Sequence, residues 1–220
     1  MNQLAVARKT RLGPGSAGVL MTPEEFDALR IEDFDDRYRY ELIRGVLVVS
    51  PFPSNAEVDP NEELGHLLRT YKDVDPQGAT LDVTMPERIV PGTPERRRAD
   101  RVIYVGLGRL PDTEVDVPAI VVEFVSSKKR DFLRDYEQKR EEYLAAGVLE
   151  YWVIDRFRRT LTVFRTTPEG SMTVVLPESE SYQTDLLPGF SLPLARLLAK
   201  ADAWPRKPKR SRRPPAQGAD

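Results

Sequence analysis

The stretch Ala119-Ile120-Val121-Val122-Glu123-Phe124-Val125 decides the fold. It is apolar on both faces except at one position, which is the pattern of a strand covered on both sides by other elements. Side chains alternate along a strand, so Glu123 shares a face with Val121 and Val125. A carboxylate there costs several kcal/mol unless it is paired, protonated or bound to a cation. Two readings fit: an ion pair with one of the chain's many arginines, or an acid kept for its chemistry.

Downstream, a long helix is read over about Asp131 to Ala146, stopped by Gly147. Strands Tyr151–Asp155 and Thr160–Phe164 follow around a turn at 156–159, then short strands near 172–176 and a helix near 193–202. Upstream, Tyr38 to Ser50 reads as a hairpin turning at Arg44-Gly45 and ended by Pro51 and Pro53. Leu64, Leu67, Leu68 and Tyr71 recur at helical spacing between about Pro60 and Lys72, with His66 off that stripe. Strands at 79–90 and 101–105 are separated by the turn-rich Pro91-Gly92-Thr93-Pro94 and the run Arg96-Arg97-Arg98. Thr22-Pro23-Glu24-Glu25 forms a capping box that starts a short helix reaching about Ile31. The expected architecture is α/β: a mixed β-sheet flanked by helices, with an N-terminal hairpin. The expected division is a loop-forming extension over 1–20, one domain over 21–203, and a proline-rich basic tail over 204–220.

Composition narrows the chemistry. The 220 residues include no cysteine and a single histidine, which removes disulfides, thiolate zinc sites, cysteine nucleophiles and most imidazole chemistry. Carboxylates, lysines, hydroxyls and a hard metal ion remain. The formal net charge is -2, but it is segregated. Residues 21–203 carry 24 bases against 34 acids, a net of -10, while both ends are basic. No window approaches the roughly 18 apolar residues of a membrane span, and no export signal is read at the N-terminus. A cytoplasmic location away from membranes is expected.

Asp100 immediately precedes the apolar run Val102-Ile103-Tyr104-Val105 and falls at a sheet end beside Glu123 in this reading. Two carboxylates on adjacent strands can share one Mg²⁺ or Mn²⁺, with a backbone carbonyl such as that of Phe124 completing the protein ligands. Asp135, Lys139 and Tyr143 are spaced by four along the following helix and so share a face. Either that face turns a lysine toward the acids, where it would neutralise developing phosphoryl charge, or it is a solvated surface with an ordinary ion pair.

Taken in order, Tyr40-Glu41-Leu42-Ile43-Arg44-Gly45-Val46-Leu47-Val48, Ala99-Asp100, Pro118 to Ser126, Asp135…Lys139…Tyr143 and Ala146 to Asp155 resemble the Uma-two family of putative restriction endonucleases over about residues 21–195. That family belongs to the PD-(D/E)XK nuclease superfamily. The resemblance implies a restriction-endonuclease-like fold, Asp100 and Glu123 as a magnesium-binding pair, and Glu41 as a further acid. Two positions depart from the pattern. Ala99 stands where a proline is usual, and Val125 stands where the superfamily has its lysine. The resemblance implies that Lys139 fills that role from the next helix.

Arg97, Arg98 and Arg101 bracket Asp100, while Lys128 and Lys129 follow the Glu123 strand. Gathered at one sheet end, they would form a positive rim suited to a DNA backbone; neutralisation of the two acids by arginine is the other reading. The function expected is a metal-dependent endonuclease acting on DNA, by analogy as a homodimer. The alternative is an inactive nuclease-fold module that binds nucleic acid or a protein partner.

Overall fold

The structure, a computed structural model, describes residues 11–126, 134–167 and 170–204. Lys128, Lys129, residues 205–220 and the side chain of Asp135 lie outside that set. Ten strands and four α-helices are found among the described residues: α1 Pro23–Asp27, β1 Tyr38–Ile43, β2 Val46–Pro51, α2 Asn55–Val74, β3 Leu81–Ile89, β4 Arg98–Val105, β5 Ile120–Phe124, α3 Lys139–Ala145, β6 Glu150–Asp155, β7 Thr160–Thr167, β8 Gly170–Pro177, β9 Ser181–Gln183, β10 Ser191–Pro193 and α4 Leu194–Asp202.

Six strands make one mixed sheet in the order β3-β4-β5-β6-β7-β8. Only β5 and β6 run parallel, and a parallel step needs a crossover, here supplied by α3. All five residues of β5 are buried, as its unbroken apolar run requires. One sheet face (Ile103, Ile120, Val122, Trp152) packs with Leu64 and Leu68 of α2 and Leu197 and Leu198 of α4. The other (Val102, Val121, Tyr151, Val153) packs with Tyr143 of α3. Each fully buried Leu, Ile or Val of these layers contributes about 1.5–3 kcal/mol.

The N-terminal hairpin is a separate two-stranded sheet. Arg44 and Gly45 both take positive φ, 52° and 71°, as a two-residue hairpin turn demands. Residues 11–20 are joined to it: Leu20 bridges Val46, and Gly18 N donates to the Leu47 carbonyl at 2.9 Å. Main-chain bonds between Leu42 and Arg96 then fix the hairpin beside the start of β4.

Among the elements that differ from expectation, two bear on the site. Helix α2 begins at Asn55 rather than near Pro60, because Glu57 Oε2 accepts from Ser54 N at 2.7 Å and caps the chain upstream. Strand β4 begins at Arg98 rather than at 101, so Asp100 lies inside the strand. No helix among the described residues is long and apolar enough to cross a membrane.

Candidate active site

The ladder between β4 and β5 pairs Ile103 with Ile120, Val102 with Val121 and Arg101 with Val122. One residue further on, a side chain takes over from the main chain: Phe124 N donates to Asp100 Oδ2 at 2.8 Å. Asp100 and Glu123 thus meet where two central strands begin to part. The alternation that puts Val102 and Val121 on the α3 face puts both acids there as well. From the opposite face Asn61 Nδ2 holds the Asp100 carbonyl oxygen at 2.8 Å.

Glu123 is met by α3. Lys139 Nζ lies 2.6 Å from Glu123 Oε1, with the two side chains only 3% and 4% exposed. Tyr143, one turn later on the same face, donates its hydroxyl to the same oxygen at 3.2 Å. Burial, then the carboxylates of Glu123 and Glu41, push the Tyr143 hydroxyl well above its usual pKa, so it stays a donor. A π-helical turn, Arg134–Gln138, leads into Lys139. Single π-helical turns are frequent at functional sites.

Glu41 comes from β1 and accepts from Arg98 N through Oε1 at 2.9 Å, bringing a third acid to the start of β4. Two residues that the sequence pattern did not single out complete the cluster. Pro86 pairs with Arg101 and Arg88 with Ala99, so Glu87 falls opposite Asp100 on β3. Its φ of 53° is the left-handed conformation that non-glycine residues adopt uncommonly and that concentrates at functional sites. Arg39 Nη2 lies 2.8 Å from Glu87 Oε2 and 3.7 Å from Asp100 Oδ1. Burial alone would lower the Arg39 pKa, but Asp100, Glu87, Glu41 and Glu123 together raise it. Burial in turn raises Glu87, with Asp100 and Glu41 adding to the rise against Arg39 and Arg98. One signal for Arg39 was legible: it lies two positions before Glu41 and so on the same face of β1.

The expected basic rim is corrected at two positions. Arg101 is fully buried on the sheet face away from Asp100, where its guanidinium donates to Asn61 Oδ1 at 2.7 Å and to Thr84 Oγ1 at 3.1 Å. Burial pulls its pKa down to about 10. Arg97 is also buried, and its Nε donates to Glu142 Oε2 at 2.8 Å. Both guanidiniums are engaged by protein groups, Arg101 on the sheet face away from the acids. Arg98 is half-buried and does line a surface groove. His66 is exposed, as its position off the helical stripe implied.

That groove, of about 1300 Å³, begins at Arg39, Glu87 and Arg98 and runs along Phe34, Tyr38 and Phe52. Asp100, Glu123 and Lys139 lie outside its lining, so groove and acids are neighbours joined through Arg39. No three acidic or imidazole side chains among the described residues converge on one metal position. What the site offers a cation is a pair of carboxylates on adjacent strands, with Asp100 Oδ2 also accepting from Phe124 N. An all-oxygen pair of this kind matches Mg²⁺ or Mn²⁺, which keep several waters of their own.

The family model described as "Uma2: Putative restriction endonuclease" matches residues 23–195. Among solved structures, one similar chain is described as a putative nuclease belonging to DUF820 from Anabaena variabilis. It superposes with a TM-score of 0.59 at 17% identity, over 82% of this chain and 99% of that one. At that identity the likeness carries the fold, a mixed sheet flanked by helices as in a nuclease. No curated protein matches the chain.

Proposed function

The chain belongs to the Uma2 family of putative restriction endonucleases, and on that premise we propose that it is a divalent-metal-dependent endonuclease hydrolysing DNA phosphodiester bonds. The observation that carries this reading is the ammonium of Lys139 at 2.6 Å from Glu123, next to Asp100 on the neighbouring strand. Two acids that can share a cation and a lysine that can offset phosphoryl charge suit hydrolysis of a phosphodiester, and Val125 leaves the lysine to come from elsewhere.

Asp100, Glu123 and the Phe124 carbonyl would hold Mg²⁺ or Mn²⁺, with Glu41 as an outlying acid. When bound, the ion supplies Lewis acidity toward the scissile phosphoryl group. Lys139 acts in a site nearly closed to water, where one positive charge counterbalances the charge that builds on the phosphoryl oxygens. The Tyr143 hydroxyl keeps the Glu123 carboxylate in one rotamer. Arg39 offsets part of the acidic cluster's charge, so an anionic backbone can approach.

The test is cleavage of plasmid DNA with Mg²⁺ or Mn²⁺ by the wild type and by Glu123→Ala, with folding followed by circular dichroism. Activity in the wild type and none in the folded variant is expected; equal activity in both would sink the assignment. A second reading, an inactive nuclease-fold module, draws on the internal cations that already engage Asp100 and Glu123. Tight metal-independent binding without cleavage of any substrate would favour it.

A further inference from the structure

Resting on the endonuclease reading, we propose that the groove beside the carboxylates is a base-binding subsite, and that the strand being cut enters it with its bases unpaired. At about 1300 Å³ the groove exceeds the roughly 300–1,000 Å³ that suits a small ligand, so it is sized for a stretch of polymer. It is continuous with the acids, because Arg39 touches both its Glu87 wall and Asp100. A strand with a phosphate at Asp100 and Glu123 therefore has its next nucleotides beside the groove.

Five aromatic residues are among its lining. Phe34 is half-buried and held by Tyr40, at 4.7 Å between ring centroids, and by Phe26, at 6.3 Å. Tyr38 is half-buried alongside. Phe52 is 55% exposed between Pro51 and Pro53, whose fixed φ angles limit how far the ring can retreat. Nucleobases stack on such rings whatever their identity, and they offer that face only when taken out of a duplex. Charge does not bar the strand: of the five acids in the lining, Asp27, Asp35 and Glu87 are each paired with an arginine. Arg98 adds a partly buried cation whose guanidinium donates to the Glu87 carbonyl oxygen at 3.4 Å.

The experiment is fluorescence anisotropy in EDTA with a labelled oligothymidine and a duplex of the same length, beside plasmid cleavage in Mg²⁺. The wild type is expected to bind oligothymidine more tightly than duplex. Phe52→Ala, a change at an exposed position, weakens the oligothymidine by about tenfold and leaves the duplex unchanged, and Phe52→Trp restores binding. Preference for duplex, or oligothymidine binding indifferent to Phe52→Ala, overturns the subsite while plasmid cleavage leaves the endonuclease reading standing. Ring-dependent oligothymidine binding with no plasmid cleavage supports the subsite and removes the endonuclease reading.

Discussion

Lys139 and Glu123 form an ion pair at 2.6 Å that is almost wholly withdrawn from water. Removing one partner of a buried pair leaves the other charge uncompensated, at a cost of about 3–5 kcal/mol, whereas replacing both with uncharged side chains is close to neutral. Lys139→Met and Glu123→Gln should each lower stability by that order, and the double variant should recover most of it. Urea unfolding of the four proteins measures this. Additive losses would mean the two charges do not depend on each other.

Metal binding at Asp100 is checked through stability rather than turnover. A ligand bound only by the folded chain at a hundred times its Kd stabilises it by about 2.7 kcal/mol. Mg²⁺ or Mn²⁺ should raise the unfolding temperature of the wild type and leave that of Asp100→Asn where it is. An equal rise in both proteins would exclude Asp100 as a ligand.

Gly65 of α2 lies against Arg101, and a Cβ there would come within 2.7 Å of Nη2. Alanine in a helix interior normally stabilises by about 1 kcal/mol over glycine. Here the guanidinium is tied to Asn61 and Thr84 and cannot swing aside without breaking those bonds. Gly65→Ala should therefore destabilise by about 1–3 kcal/mol, read by thermal unfolding. A gain in stability would show that Arg101 repacks.

Glu63 joins α2 to α4 through Arg196 at 2.5 Å and Lys200 at 3.4 Å. Burial alone would raise its pKa, but the two cations paired with it bring it below 4.5. A carboxyl with a lower pKa folded than unfolded binds fewer protons in the folded state. Its contribution is present above the unfolded value and is lost as pH falls through the folded one. The stability difference between wild type and Glu63→Gln should be constant near neutrality and shrink below about pH 4.5. A difference that persists undiminished at the acid end would assign Glu63 a packing role instead.

The apolar run around Glu123 disclosed the central strand, because a strand covered on both faces reads as a nearly continuous apolar run. Arg44-Gly45 disclosed the hairpin through its turn chemistry. Lys139 was legible as a helix residue on the Tyr143 face, but its reach to Glu123 depends on how α3 crosses the sheet, which no local pattern encodes. Arg101 stands next to Asp100 in the sequence but leaves the site by strand alternation: Asp100 faces α3 and Arg101 faces α2. The meeting of Arg39 with Glu87 was hidden for a different reason: it arises only when the hairpin docks on β4, and the two residues are far apart along the chain.

The last ladder pair before the acids, Arg101 with Val122, gives the site a built-in ruler. Strands in a sheet run about 4.8 Å apart, so the gap between the two acids is set first by the backbone and only then by side-chain length. Asp100→Glu and Glu123→Asp preserve every charge while moving the oxygens along that fixed gauge. On this arrangement a change of one methylene is as consequential as a change of charge, and the lengths of these two side chains form part of the design.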